Sequence, residues 1–248
     1  MNLQVRRLFH RDELIDVIKM QEAVWTNDIV PLHRLLADVH SGGIILGAYE
    51  DSALLGFQYS TPAILRGRVF LWSHMTAVLP TIKGGGVGYQ LKLRQRAEAL
   101  ADNYKLIAWT FDPLESLNAN LNIGKLGAIC STYTENYYGD LDDILNSGMA
   151  TDRLKVEWHI SDTPLAAGGS DDALSIFVEV PSNIQELKIT DKTAAIGWRL
   201  KVRQELQTAF ADGWAICGFI NNGKTATTHQ YLLKPRNLLN AEAAPWNA

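Results

Sequence analysis

The stretch from Val69 to Leu100, VFLWSHMTAVLPTIKGGGVGYQLKLRQRAEAL, limits what this chain can fold into more than any other. An apolar, β-branched and aromatic run reaches Val78 and is closed by Pro80, which predicts a strand. The loop Thr81-Ile82-Lys83-Gly84-Gly85-Gly86-Val87-Gly88 follows, with Leu91, Leu93, Ala97 and Leu100 beyond it as the apolar positions of a predicted helix. The first N–H groups of a helix have no acceptor inside it, and the helix dipole favours an anion there. Glycines at such a junction let a ligand approach the backbone closely. The pattern therefore predicts a phosphate cradle, the plain alternative being a glycine-rich turn before an ordinary helix.

Three cradles compete. The nucleoside-triphosphate loop needs Gly-x-x-x-x-Gly-Lys-Ser/Thr, but Tyr89 and Gln90 stand where the second glycine and the lysine belong. The dinucleotide fingerprint needs Gly-x-Gly-x-x-Gly. Its third glycine falls on Tyr89 when counted from Gly84 and on Leu91 when counted from Gly86. The third pattern is a basic or amide residue, two free positions, then Gly-x-Gly, after a strand ending Val-x-Pro. Lys83-Gly84-Gly85-Gly86-Val87-Gly88, preceded by Val78-Leu79-Pro80, fits it. This stretch resembles the pyrophosphate loop of the GCN5-related N-acetyltransferase (GNAT) superfamily, which binds acyl-coenzyme A. Lys83 departs from the usual Arg or Gln and supplies a cation without the bidentate fork of arginine.

Composition sets the class. The 248 residues, 47% hydrophobic and 20% charged, suit an ordinary soluble protein of one large domain or one and a half small ones. A net charge of −4 without a basic run gives no reason to expect a nucleic-acid partner. Cys130 and Cys217 lie far apart and make no metal-ligand pair, so no metal is expected. The N-terminal residues show no signal-peptide pattern, and no apolar run is long enough to span a bilayer. The expectation is a reduced, cytoplasmic protein with no membrane partner.

Taken in order, residues 2–8 predict a short strand and residues 12–25 a helix. Pro31 opens a second helix, which Gly42-Gly43 stops. Residues 44–49 and 54–61 predict two strands around the turn Glu50-Asp51-Ser52, and the strand ending at Val78 follows Arg66-Gly67-Arg68. Beyond the glycine loop and its helix, residues 105–111 predict a strand. Ser116 is placed to cap a helix over about 117–126 that ends at Gly127. Residues 128–137 and 153–160 predict two more strands, with a turn-rich stretch between them.

The order of the first half is that of the GNAT superfamily, and a second match supports it. Leu121, Lys125, Leu126 and Gly127 resemble the superfamily's Leu-Tyr-Glu-Lys-Leu-Gly-Phe type helix ending. The whole chain resembles one branch, predicted acetyltransferases with an added C-terminal half, some associated with N-succinylation of amino acids. The implied fold is α/β, an α+β mixed sheet of GNAT type. Residues 1–160 form the acyl-CoA-binding domain and 161–248 a C-terminal α+β extension packing on it. Residues 162–172, small and polar, predict the linker. After it come a strand (173–180), helix in two pieces (182–210), a strand (214–220), a tight turn at Asn221-Asn222-Gly223 and a partner strand (227–233). This extension shows no nucleophile, metal or phosphate pattern; its expected role is to wall the acceptor pocket or form a subunit contact in a homodimer.

The resemblance implies acyl transfer from acetyl-CoA or another acyl-CoA to a small amine or amino acid. Residues Lys83 to Tyr89 (Lys83, Gly84, Gly85, Gly86, Val87, Gly88, Tyr89) would hold the pyrophosphate. Ala77, Val78 and Leu79 would align the pantetheine arm, with the Val78 N–H meeting the thioester oxygen. His74, four residues before Val78, is expected on the same strand face and is a candidate base, a hydrogen-bonded core histidine being the other reading. Glu157 is a second carboxylate candidate, with a paired structural role as its alternative. Many members of the superfamily carry tyrosine where Asn122 stands, and asparagine cannot protonate a leaving thiolate. Either another group serves, Tyr137 or Tyr138, with core packing preferred for Tyr138, or coenzyme A leaves unaided. Asn118 and Asn122, four apart on one expected helix face, would be cofactor contacts. The loss of that tyrosine also fits a non-catalytic acyl-CoA-binding or sensing protein.

Overall fold

Two tight turns set the architecture of the first half of the chain. Asp51 takes φ 53° between β2 (Ile44–Glu50) and β3 (Ala53–Leu65). Arg66 (φ 50°) and Gly67 (φ 75°) connect β3 to β4 (Arg68–Val78). Consecutive positive φ values give a turn whose twist matches that of the strands it joins. The structure, a computed structural model, describes residues 3–25, 29–82, 85–139, 149–160, 174–239 and 241–247. The chain divides into two compact units, Met1–Ile107 and Ala108–Ala248. The predicted linker at 162–172 lies outside the described residues. The division differs in place from the one expected at 160/161.

In the first unit, β1 (Leu3–Arg7), β2, β3 and β4 pair antiparallel in that order. The helices α1 (Arg11–Val24) and α2 (Leu32–His40) cover one face. Leu14, Val17, Met20 and Leu35 pack there on Ile45, Phe57, Tyr59, Met75 and Ala77. α1 starts where Glu13 Oε2 accepts from the Phe9 and His10 N–H groups, at 3.0 and 2.9 Å, satisfying two donors at the helix entry. The opposite face carries α3 (Val87–Ala101). β3 runs past its expected end through Pro62, because beyond Ser60 it has left β2 behind. A proline is tolerated where a strand has a side without a partner.

The buried face of α3 differs from the expected one. Val87, Leu91, Lys92, Gln95 and Ala99 are buried, whereas Leu93 and Ala97 are exposed. Hydrophobic periodicity misplaced this face because two of its core positions are polar.

In the second unit the sheet order is β5-β7-β6-β9-β10-β8. β5 (Leu106–Phe111) crosses the division; the others are β6 (Ile129–Thr134), β7 (Arg153–His159), β8 (Ile176–Pro181), β9 (Trp214–Ile220) and β10 (Thr228–Pro235). β9 pairs with β6 at Cys130 and Ile216, so the C-terminal strands continue the sheet of β6 and β7. The α5 (Ile184–Thr190) and α6 (Lys192–Ala211) helices confirm the two expected pieces, and Asp191 caps α6 by accepting from the Ala194 N–H at 2.9 Å. Four expectations are corrected. β6 ends at Thr134, short of Tyr137. The β9–β10 connection takes all of 221–227 rather than a tight turn at Asn221-Asn222-Gly223. Ser116 caps no helix, because its hydroxyl donates to the Pro181 carbonyl at 2.6 Å. Tyr138 is exposed rather than in the core, with the Arg153 guanidinium 5.0 Å from its ring centroid.

One buried ion pair ties β5's end to α6. Arg199 donates to both Asp112 oxygens at 2.8 and 2.5 Å, and both side chains are buried. Removing one member of a buried pair strands a charge and costs about 3–5 kcal/mol. Arg199→Ala is expected to lose stability on that scale in urea unfolding followed by tryptophan fluorescence; a loss below about 1 kcal/mol would show that the pair is dispensable.

Candidate functional site

The α3 helix begins at a residue that must be left-handed. Gly86 is its N-cap with φ 80° and ψ −1°, a conformation that costs a residue with Cβ about 1–2 kcal/mol. The first hydrogen bond of α3 runs from the Gln90 N–H to the Gly86 carbonyl at 3.0 Å. The N–H groups of Val87, Gly88 and Tyr89 precede it and have no acceptor within the helix. Val87 turns its side chain into the core, while Gly85 and Gly86 are exposed and Gly88 and Tyr89 half-buried. Lys83 and Gly84, expected in the same cradle, lie outside the described residues.

The seating of this helix depends on Gly56. A Cβ there would lie 2.7 Å from the Ala77 carbonyl oxygen and 3.2 Å from side-chain carbons of Val87 and Leu91. The missing methyl lets the first turn of α3 rest directly on β3 and β4. β4's carboxyl end, Ala77-Val78-Leu79, therefore lies in the same unit and on the same packing contact as the start of α3. Leu79 N–H donates to the Leu55 carbonyl at 2.9 Å, and Gly56 stands opposite Val78. Residues of an antiparallel pair alternate between bonded and non-bonded, so the Val78 N–H points away from β3. Ala77 is buried, while Val78 and Leu79 are half-buried. The orphaned N–H groups of the first turn are donors of the kind an anion accepts from, and the left-handed glycine lets the chain enter the helix beside them.

His74 does not stand as expected. The register of β3 with β4 slips between Tyr59 opposite Met75 and Ser60 opposite Ser73, so His74 is the extra residue of a bulge. A bulge breaks the period of two on which the same-face expectation rested. The His74 ring is exposed and packs edge-on to Tyr59 at 5.6 Å between centroids. Tyr59 belongs to the α1/α2 face, where its hydroxyl donates to buried Asp38. The Val78 side chain, opposite Gly56, is on the α3 face.

The second unit holds the other expected positions. After a single turn, α4 (Ser116–Ala119), the chain widens into a π-helix, Asn120–Lys125, and Gly127 ends it with φ 68°. The wider turn undoes the four-residue spacing: Asn118 is exposed, whereas Asn122 is only 5% exposed. The two asparagines do not share a face. Asn122 is buried on the π-helix beside Ile123. Tyr137, 40% exposed, stacks edge-on with Tyr138 at 4.8 Å, and burial together with Tyr138 holds its hydroxyl above the usual range.

Glu157 has the paired structural role. It is fully buried and accepts from Ser131 Oγ at 2.8 Å, Arg236 Nη2 at 2.8 Å and Asn247 Nδ2 at 3.0 Å, with His159 Nε2 at 3.4 Å. Burial pushes its carboxyl up, but these partners outweigh burial and hold it below the usual range. Sequence reasoning missed Lys92 and Gln95. Their signal was a stripe at positions 87, 91, 95 and 99 with a glutamine inside it.

No protein-family model matches the chain, and no curated protein matches it in sequence. Solved structures do match in fold. A chain of the NatC complex bound to Gag peptide and coenzyme A is 16% identical, with a TM-score of 0.53, over 65% of this chain and all of that one. The ribosomal-protein-S18-alanine N-acetyltransferase from Escherichia coli is 14% identical, TM-score 0.53, over 68% and 97%. An acetyltransferase from Salmonella typhimurium, solved with its cofactor acetyl-CoA, is 16% identical, TM-score 0.52, over 66% and 96%. This chain has the GNAT fold. About a third of it falls outside those matches, which span nearly the whole of the smaller GNAT chains. Among the described residues no helix is long and apolar enough to cross a membrane.

The low-lying Glu157 carboxyl gives the GNAT-fold chain an acid-sensitive element. A carboxyl depressed by folding stabilises fully above its unfolded pKa, and that contribution is lost as pH falls through the folded value. Unfolding free energy should therefore drop on acidification below the ordinary glutamate range. Glu157→Gln should flatten that part of the profile and lower the plateau at pH 7; an unchanged slope would place the acid sensitivity elsewhere.

Proposed function

We propose that this chain is an acyl-CoA-dependent N-acyltransferase that moves an acetyl or succinyl group directly to a small amine or amino acid. The observation that carries the reading is the start of α3. A left-handed Gly86 and the N–H groups of Val87, Gly88 and Tyr89, which have no acceptor within the helix, lie on the same helix–strand contact as the end of β4 at Val78. Lys83 and Gly84 belong to this cradle by their motif. The GNAT fold of the solved structures supports the same assignment.

The bound acyl-CoA would supply an activated thioester. The first turn of α3 would hold its diphosphate, and the Val78 N–H would receive charge as the carbonyl oxygen becomes an oxyanion, the kind of stabilisation that contributes most in acyl transfer. The amine nitrogen forms a bond to the carbonyl carbon, the carbon–sulfur bond breaks, and sulfur keeps the electron pair. His74, the exposed imidazole of β4, is the candidate acceptor of the amine proton. Tyr137, held protonated by its raised pKa, is the candidate donor to sulfur. Asn122, buried on the π-helix, is assigned to the pantetheine arm, and Asn118 to the same role from its exposed position.

The second reading is a binding or sensing protein that carries out no transfer, favoured by asparagine at position 122. Turnover separates the two. Calorimetry with acetyl-CoA, succinyl-CoA and free coenzyme A should give saturable binding, lost by at least tenfold in Gly86→Glu and Gly88→Glu, whose carboxylates would oppose the diphosphate. The acceptor panel includes amino acids, small amines and short peptides, since the NatC and S18-alanine structures carry peptide or protein acceptors in their names. Binding with turnover establishes the transferase and binding without it the sensor; absence of binding defeats both.

A further inference from the structure

The strand β8 ends the sheet of the second unit. Among the described residues it pairs with β10 and with nothing on its other side. Its ladder to β10 runs from Ile176 to Pro181 without a bulge, and the Ser182 N–H continues it by donating to the Thr227 carbonyl at 2.9 Å. Bonding groups alternate along an antiparallel strand. Residues 176, 178 and 180 therefore turn theirs towards β10, as residue 182 does, and Phe177, Glu179 and Pro181 turn theirs outward. The last is already used: the Pro181 carbonyl accepts from Ser116 Oγ at 2.6 Å, and proline has no N–H. Phe177 and Glu179 each keep an N–H and a carbonyl on the open side. Natural sheets blunt such edges with lysine, proline, a bulge or a covering element. Between Ile176 and Val180 the first three are absent.

The open side is a cleft. A hollow of about 800 Å³ is lined by all four residues from Ile176 to Glu179. Side chains of a strand alternate between its faces, so what four consecutive residues share is the edge of the strand. The other wall is α6, with Lys201, Gln204, Glu205, Thr208 and Asp212, whose spacing of three and four marks one helix face. The core of the unit takes a different face of α6, with Val202 and Leu206. Phe177, 52% exposed, and Trp214 add aromatic surface. Just before the strand, Ser175 Oγ is buried without a hydrogen-bond partner. Lys201 lies 3.4 Å from Glu179, while Glu205 and Asp212 have no cation among the residues lining the hollow. The cleft is therefore acidic, with aromatic surface beside its carboxylates.

We propose that the β8 edge is a docking site for an extended, basic segment of a partner protein, which adds to β8 as a further strand and sets lysine or arginine side chains against Glu205 and Asp212. Main-chain hydrogen bonds hold such a strand, and the surfaces beside the edge select its side chains. Charge decides between the occupants. A second copy joined edge to edge about a two-fold axis would bring its own Glu205 and Asp212 to the same acidic cleft, and like charges oppose that contact. Residues 161–173 of this chain contain Asp162, Asp171 and Asp172 and neither lysine nor arginine, so the cleft repels them as well. The site lies wholly in the second unit and does not depend on the acyl-CoA reading.

The test uses the full chain and two short fluorescent peptides of alternating residues, lysine–valine and glutamate–valine, read by anisotropy. The lysine peptide is expected to bind, several-fold more weakly as salt is raised, and the glutamate peptide not to bind. Glu205→Gln combined with Asp212→Asn, neither residue being buried, should weaken the lysine peptide by roughly tenfold. Methylating alternate backbone nitrogens of that peptide should abolish binding while leaving its charge intact. Amide hydrogen exchange at Phe177 and Glu179 should be fast in the free protein and slow in the complex. Failure of the lysine peptide to bind overturns the proposal. So does equal binding to the double variant or by the methylated peptide, which would show attraction for charge alone. Slow exchange at both amides in the free protein overturns it too: a dimer in sedimentation would assign the edge to a second copy, and a monomer to this chain's own residues.

Discussion

The first unit depends on a contact in which a side chain is missing. At Gly56 a single methyl would collide with the Ala77 carbonyl and press on Val87 and Leu91. Everything proposed for the anion cradle follows from that close approach. It brings the first turn of α3 down onto β3 and β4, so that its N–H groups and the end of β4 belong to one packing contact. Gly86 then serves a different purpose, bending the chain through a left-handed conformation into the helix. One glycine sets the depth of the helix and the other its entry.

The second unit is held in a different way, by charges withdrawn from water. Asp112 meets Arg199, and Asp152 meets Arg203 at 2.8 Å while accepting from Tyr133 Oη at 2.5 Å. Glu157 gathers Arg236, Ser131 and Asn247. Each network joins an element from before residue 160 to one from after it. A pairing of that kind is costly to break and contributes little net stability compared with an apolar replacement. What it does is specify which elements come together. With the β6–β9 pairing, these networks explain why the contact boundary falls at 107/108 and not at the predicted linker.

How much of this was legible in the sequence follows from the kind of signal each feature leaves. The alternation of β2 and β3, the helical spacing of α1 and the turn at Glu50-Asp51-Ser52 are local, and local patterns placed them to within a few residues. The glycine loop was legible because backbone geometry leaves glycine in the sequence. Three features were hidden by irregularities of the backbone. The His74 bulge adds one residue to β4, which no count of alternation detects, and so the expected alignment of His74 with Val78 failed. The π-helix at Asn120–Lys125 looks like an α-helix in composition, and so Asn118 and Asn122 were assigned one face. The contact from Ser116 to Pro181 spans 65 residues and leaves no local trace.

The polar floor beneath α3 was hidden for another reason. Burial of Lys92, Gln95, Gln58 and Ser73 contradicts the pattern that locates cores, and a reader of periodicity assigns such residues to the surface. A hydrophobic stripe there would seat the helix equally well and avoid desolvating an amine. Such a floor is tolerated because its polar groups meet one another, Lys92 donating to Ser73 Oγ and Gln95 to Ser60 Oγ beneath the helix.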